Sequence, residues 1–296
     1  MKDIITIMTV VLTLCACGSD QSTEDATGTF EATEVTVSAE QNGRLLQWNV
    51  EDGSRLTAGT QVGLIDTVQL ALKARQIGAT RLVYTAQRPD ISAQVAVIQQ
   101  QLRKAEQDEA RYAALVRDGA ANRKLLDDAR SQVLVLKRQL AAQQSTLGNS
   151  SRTVDAQVGT ANAEKYIVAD QLRKCHVVSP ISGTVLENYV ESGEYATVGR
   201  PLFKMADMDR VFLRAYLTSF QLKDVKLGQQ VIVYTDYGNG QRRKYKGQIV
   251  WISESSEFTP KTILTDDERA DLVYAVKIAV KNDGYIRLGM YGEVKL

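Results

Sequence analysis

What this chain has little of narrows the field first. Among 296 residues there are one histidine, three cysteines and four prolines, and aromatic side chains make up 6%. A lone imidazole, His176, argues against His-built triads and metal clusters and reads as a surface or half-buried strand residue. Basic and acidic residues nearly cancel, 36 against 35, so neither a nucleic acid nor another acidic polymer is implied as a partner. The apolar run from Ile4 to Leu14 is too short to span a membrane as a helix. The middle of the chain is dominated by Ala, Gln, Val, Leu, Lys and Arg, as expected of exposed helix, and this predicts an elongated, mixed α+β molecule.

The N-terminus supplies a compartment. Lys2 followed by the Ile4–Leu14 run has the form of a signal peptide, and Leu14-Cys15-Ala16-Cys17-Gly18 resembles a bacterial lipobox, in which small residues precede the cysteine that carries the diacylglycerol. Residues 1–16 are expected to leave as the signal and Cys17 to become the lipidated first residue. Residues 17–28, polar and without apolar periodicity, read as a flexible tether. Cys175 is then the only unmodified thiol, which excludes an internal disulfide. The expected location is the periplasm, with the anchor in the inner membrane and outer-membrane sorting left open.

An internal repeat carries the most information. With an offset of 140, residues 37–66 align without gaps on residues 177–206, and eight of thirty positions are identical: Val37, Gly43, Leu46, Val50, Glu51, Gly53, Thr57 and Gly59 return as Val177, Gly183, Leu186, Val190, Glu191, Gly193, Thr197 and Gly199. Each half reads as short strands with tight turns, Gly43, Gly53 and Gly59 and their counterparts Gly183, Gly193 and Gly199 being the expected turn glycines. Neither half is large enough to bury a core alone. Two such halves closing on one another resemble the flattened barrels of lipoyl and biotinyl domains. Those domains carry a modifiable lysine at their tip; here no lysine lies between Ser38 and Asp66 or between Ser179 and Phe203, so no lipoyl or biotinyl cofactor is expected.

Residues 67–174 separate the halves and read as helix. Ile91, Val95, Ile98, Leu102, Ala105 and Tyr112 form one apolar seam, and Leu126, Ala129, Val133, Leu136, Leu140 and Leu147 another, the pattern of a coiled coil. A short connection with Gly119 makes the arms antiparallel, with the tip at about residues 113–123. Pro89 and Gly148, at similar distances from Gly119, predict a matched joint in both arms.

A half lipoyl motif, a helical hairpin, a second half at residues 175–207 and a following β-domain resemble the plan of the HlyD family, the membrane fusion proteins or periplasmic adaptors of tripartite export systems. That resemblance implies a non-catalytic, ring-forming protein that joins an inner-membrane transporter to a TolC-like outer-membrane channel for export of small molecules or peptides. It also implies a tip contact made by Arg111, Leu115, Gly119 and the position of Asn122, where the family's pattern has serine. The strings at residues 258–262 and 268–277 resemble adaptors of ABC-type exporters, with an RND-type partner the alternative.

The remainder predicts a β-barrel over 208–265, with Gln230–Thr235 and Tyr245–Ile252 as a hairpin. Residues 266–296 are expected to contribute a strand pair turning at Asn282-Asp283-Gly284. With residues 29–36 this pair either forms a membrane-proximal unit or completes the barrel. Arg242, Arg243, Lys244 and Lys246 read as a solvated edge, with transporter or lipid-headgroup contact the alternative, and Asp266, Asp267, Glu268 and Asp271 as a loop whose spacing fits no metal site. The competing class is a lipid-anchored coiled-coil scaffold that belongs to no pump.

Overall fold

A computed structural model describes residues 26–238, 241–258 and 272–296. Cys17, the tether as far as residue 25, and the acidic positions Asp266, Asp267, Glu268 and Asp271 lie outside the described residues. Two β-units and a helical arm account for the rest.

The barrel closes through pairings between segments far apart in sequence. β1 (Ala26–Ser38) pairs with β13 (Tyr291–Lys295) and with β8 (Pro201–Thr218). β13 pairs with β9 (Gln230–Asp236), β9 with β10 (Arg242–Ile252), β10 with β12 (Leu272–Lys281), and β12 with β8, so six antiparallel strands return to their start. Closure removes the unpaired edges that an open sheet would expose. Along β8 the residues Val211, Leu213, Ala215 and Leu217 are fully buried and alternate with more exposed ones, and they meet Phe30, Val233, Ile249, Ile278 and Val294 in the barrel core. Strands β12 and β13 do not pair with one another, contrary to the expected hairpin; each inserts between other strands, and residues 272–296 complete the barrel together with β1.

β1 and β8 are long enough to serve both β-units. Gly28–Ala32 pair with β8 inside the barrel, and Glu34–Ser38 pair with Ala206–Pro201 in the second unit. Between these stretches Thr33 alone faces residues 207–210, a wide bulge that re-aims the strands. The buried Asn282 fills it: its backbone N–H donates to the Asp209 carbonyl at 3.0 Å and its amide to the Met208 carbonyl at 2.9 Å. Arg55 adds an ion pair to Asp209.

The second unit is a sandwich of two small sheets. β5 (His176–Val178), β4 (Gln61–Ile65), β2 (Gly43–Trp48) and β7 (Tyr195–Ala196) form one; β3 (Arg55–Leu56) and β6 (Gly183–Asn188) join the ends of β8 and β1 in the other. Between β4 and β5 the chain leaves as the arm: α1 (Val68–Ala86), α2 (Ile91–Arg117) and α3 (Arg123–Lys174). At 1.5 Å per residue the 52 residues of α3 extend about 78 Å. Glu106 pairs with Lys137 at 3.1 Å and Arg88 with Asp155; both pairs share a midpoint between residues 121 and 122, so α1 and α2 run antiparallel to α3 around the tip turn.

The joint is present on one arm only. Helix α1 ends before Pro89, and Asp90 caps α2 by accepting from the Ala93 N–H at 3.0 Å. Helix α3 runs unbroken through Gly148, and the residue opposite the break is Asp155, which Arg88 engages. The expected second break fails because Leu126, Val133, Leu140, Leu147, Val154, Ala161 and Val168 repeat every seven residues across Gly148, all buried but the half-buried Leu140, so packing outweighs the glycine's helix penalty of about 1 kcal/mol. A Cβ at Gly148 would meet nothing within 4 Å. Gly148→Ala is therefore expected to stabilise the arm by about 0.5–1 kcal/mol in urea unfolding followed by helical circular dichroism, and Gly148→Pro to destabilise it by about 3 kcal/mol. Destabilisation by alanine would show that the helix breaks there after all.

Candidate functional site

The two halves of the repeat exchange backbone hydrogen bonds position for position. The Gly53 N–H donates to the Val185 carbonyl at 2.9 Å and the Gly193 N–H to the Leu45 carbonyl at 2.8 Å. Val185 donates to Ser54 as Leu45 donates to Glu194, Gly59 to Ser179 as Gly199 to Ala39, and Ser179 to Thr60 as Ala39 to Arg200. Side chains follow the same rule: Asn42 accepts from the Val198 N–H at 2.9 Å, and Ser182, its counterpart, from the Ala58 N–H at 3.0 Å. Trp48 donates to Asn188, its own counterpart, at 3.0 Å and lies edge-on against Phe203. The offset of 140 is thus a pseudo-twofold axis. Leu45 with Val185, Val50 with Val190, Val62 with Leu202 and Ile65 with Met205 supply matched core residues.

The repeat glycines divide into two kinds. Gly53, Gly59, Gly193 and Gly199 have positive φ, 79°, 80°, 95° and 86°, as tight turns require. Gly43 and Gly183 open strands β2 and β6 and are not turn residues, which corrects their expected role. A Cβ on Gly183 would stand 2.3 Å from the Ala206 carbonyl oxygen, and one on Gly43 would stand 2.7 Å from a methyl of Ile65. They admit close approach of neighbouring strands.

At the tip, Gly119 closes α2. Its N–H donates to Val116 and the Ala120 N–H to Leu115, a Schellman arrangement that satisfies the last helical carbonyls, with Gly119 at φ 71°. Asn122 caps α3 by accepting from the Lys124 N–H at 3.0 Å. Arg111 is exposed, pairs with Asp108 and lies 5.7 Å from the centre of the Tyr112 ring. Leu115 is 38% exposed. The tip is therefore a fixed turn that displays a cation and an apolar side chain.

Other candidates resolve as structural. His176 is exposed on β5, with Nδ1 3.0 Å from the Gln61 side-chain oxygen. Cys175 caps the end of α3, fully buried, and burial pushes its thiol pKa up, keeping it protonated and inert. No group of three or more potential metal ligands occurs among the described residues, nor is any helix among them long and apolar enough to cross a membrane. The basic cluster is more than a solvated edge: Arg242 meets Glu293 at 3.1 Å, and Arg243 pairs with Asp283 amid the rings of Tyr237, Tyr245 and Tyr285. Burial and Asp283 push the Tyr245 phenol up to about 12.

The symmetry makes a quantitative claim. Gly53→Ala and Gly193→Ala should each destabilise by about 1–2 kcal/mol, since each forces an L-residue into the left-handed region with open space around it. The two effects should match to within about 0.5 kcal/mol, and Gly183→Ala should exceed both because backbone must move. Chemical unfolding of the three variants checks the order.

Comparison with known proteins agrees with this architecture. The family described as RND MFP, barrel-sandwich hybrid domain, matches residues 33–207. A UPF0194 membrane protein of Citrobacter koseri is 27% identical over 285 residues, covering 89% of this chain and 85% of the relative. The UPF0194 membrane protein YbhG of Salmonella arizonae is 28% identical over 290 residues, covering 90% and 87%. MacA from Actinobacillus actinomycetemcomitans superposes with a TM-score of 0.53 at 20% identity, over 91% of this chain and 76% of that one, a likeness of fold. With the matched span holding both repeat halves and the whole arm between them, the chain belongs to the RND membrane fusion protein family defined by the barrel-sandwich hybrid domain.

Proposed function

We propose that the protein is a non-catalytic periplasmic adaptor, held to the inner membrane by acyl chains on Cys17, that links a transporter to a TolC-like outer-membrane channel. One observation carries the reading: both roots of the arm, at Val68 and Lys174, are held in one sandwich closed by reciprocal hydrogen bonds, so the arm is an outward strut with a preformed turn at its far end. A carrier domain would present a lysine where the arm leaves; this chain has none between Ser38 and Asp66 or between Ser179 and Phe203, and no lipoyl, biotinyl or metal cofactor enters the proposal. The arm serves as a coiled-coil docking hairpin, and Arg111 and Leu115 supply a charged fork and an apolar knob to the channel's helices. Side-by-side copies in a ring would enclose the conduit. The ABC-type partner rests on the resemblance of the strings at residues 258–262 and 268–277, and the cargo on the general export of small molecules or peptides by such systems.

Purification of the tagged protein from detergent-solubilised membranes, with mass-spectrometric identification of what accompanies it, tests the assembly. The expected outcome is co-purification of an inner-membrane transporter with both the wild type and the double variant Arg111→Glu, Leu115→Asp. The variant should retain wild-type thermal stability, because both residues are exposed, while export falls at least about tenfold, the loss of about 1.4 kcal/mol or more in tip docking. A wild type that brings no transporter, together with a variant that exports normally, would sink the proposal in favour of a scaffold outside any pump.

A further inference from the structure

We infer that the barrel end from which the N-terminus leaves is a bilayer-contacting face, with Phe220, Leu227 and Trp251 seated in the lipid headgroup region. The inference rests on the proposed acylation of Cys17 and goes beyond it, since an anchor alone does not require the folded protein to touch lipid.

The placement follows from strand register. Gly28 of β1 lies opposite Ala215 of β8, so Ala26 stands beside Leu217, one residue before Thr218, where β8 gives way to the short helix α4 (Ser219–Leu222). The connection from β8 to β9 and the far end of β10 share this end of the barrel, because the Gly228 N–H donates to the Ile249 carbonyl and Gln230 pairs with Gln248. Phe220 and Leu227, on that connection, are 74% and 69% exposed. Leu227 and Trp251 line one groove of about 510 Å³, and Trp251 is itself 41% exposed. Exposed apolar side chains of this size favour burial, and here they share one end of the barrel.

Two features identify the occupant as a lipid surface. The first is the length of chain outside the described residues: eight residues lie between Cys17 and Ala26, and at about 3.4 Å per residue they reach no more than about 30 Å. An acyl chain at Cys17 therefore holds this end of the barrel close to the bilayer, where a tether of that length gives even a weak contact an effective concentration in the millimolar range. The second is side-chain chemistry. An indole and a phenyl ring accompanied by lysines suit the headgroup level, where rings bury and ammonium groups reach outward. The Lys223 Nζ lies 4.0 Å from the centre of the Phe220 ring; the Lys277 Nζ, 6.0 Å from that of Trp251, is already paired with Glu31 at 3.6 Å and supports the indole rather than a headgroup. Lys226 and Lys295 are exposed on the same end. Asp224 sits 3.9 Å from Lys223 and Glu254 lines the groove, so the face is not uniformly cationic. The contact is driven by apolar burial, and added salt should leave it in place.

The test uses the mature acylated protein in phosphatidylethanolamine–phosphatidylglycerol vesicles. Only two tryptophans are present, and Trp48 is packed in the sandwich, so the emission lost in Trp251→Phe isolates Trp251. Phospholipids brominated near the carbonyl end of the acyl chain should quench that component more strongly than those brominated near the methyl end, consistent with seating about 5–10 Å deep. Quenching should survive added salt and weaken in the double variant Phe220→Ser, Leu227→Ser, which still floats with the vesicles. If the wild type floats but Trp251 stays open to aqueous iodide and blind to brominated lipid, the face does not touch the bilayer and the inference falls while the anchor stands. Shielding of Trp251 only when a transporter is reconstituted would likewise overturn it and assign the face to protein. If the wild type neither floats nor carries diacylglycerol by mass spectrometry, the anchor and the inference fall together.

Discussion

The Gly53 N–H bonded to Val185, and the Gly193 N–H bonded to Leu45, stand for the constraint on which the molecule depends. Ser54, Thr60, Glu194 and Arg200 close their turns within their own half, but the turn glycines Gly53, Gly59, Gly193 and Gly199 all find their acceptors in the other half. The exchange runs through four symmetric pairs of bonds, and Leu45, Val50, Val62 and Ile65 share one buried cluster with Val185, Val190, Leu202 and Met205, so a lone half would lose both the bonds and the core. Folding of the sandwich therefore has to bring residues 37–66 and 177–206 together across the intervening arm. The arm in turn must fold back on itself, because its two ends are fixed side by side at β4 and β5, which pair. An antiparallel arm is thus a consequence of the split domain as much as of its own apolar stripe.

Legibility in the sequence followed the range of the interactions involved. The offset of 140, read from eight identities, proved to be a literal hydrogen-bonding symmetry, because turn glycines and inward apolar residues are constrained position by position. The helical arm was legible from periodicity, and Asn122 from its place before a returning helix. The seven-residue stripe beyond Leu147, through Val154, Ala161 and Val168, was equally present, and reading it would have shown that Gly148 does not break α3. What could not be read was non-local pairing. No local pattern reveals that β13 inserts between β1 and β9, or that β12 closes the barrel on β8. Likewise Gly43 and Gly183 carry the letter of a turn residue but the role of a close-approach residue, a distinction made only by Ile65 and Ala206 across from them. Asn282, which seals the bulge, looks in sequence like one member of a turn triplet.

The strands β1 and β8 join the two β-units mechanically. A two-strand ladder running through both would by itself transmit any rotation of the sandwich into the barrel. The bulge of residues 207–210 opposite Thr33 interrupts the ladder where one unit gives way to the other. There Asn282 and Arg55 replace backbone pairing with side-chain contacts contributed by the barrel and the sandwich respectively. The Arg55–Asp209 pair is exposed on both sides and contributes little, about 0–1 kcal/mol, whereas Asn282 is buried with its amide and carbonyl both satisfied. Of the two, Asn282 is the stronger tie across the bulge where the strands change units.

These three elements bear on one another in order. The reciprocal sandwich fixes the arm's roots, the continuous α3 gives the arm one unbroken rail, and the break at Pro89 confines any bending to the other rail, where Arg88 still reaches Asp155. A two-helix strut with one continuous member resists extension but yields to sideways bending at the interrupted one. Such compliance would serve the proposed docking at the tip without disturbing the sandwich below. The same logic explains why the tip is the most locally determined part of the arm, with a Schellman turn on one side and an asparagine cap on the other. A strut that bends along its length can present a specific surface only if its end does not.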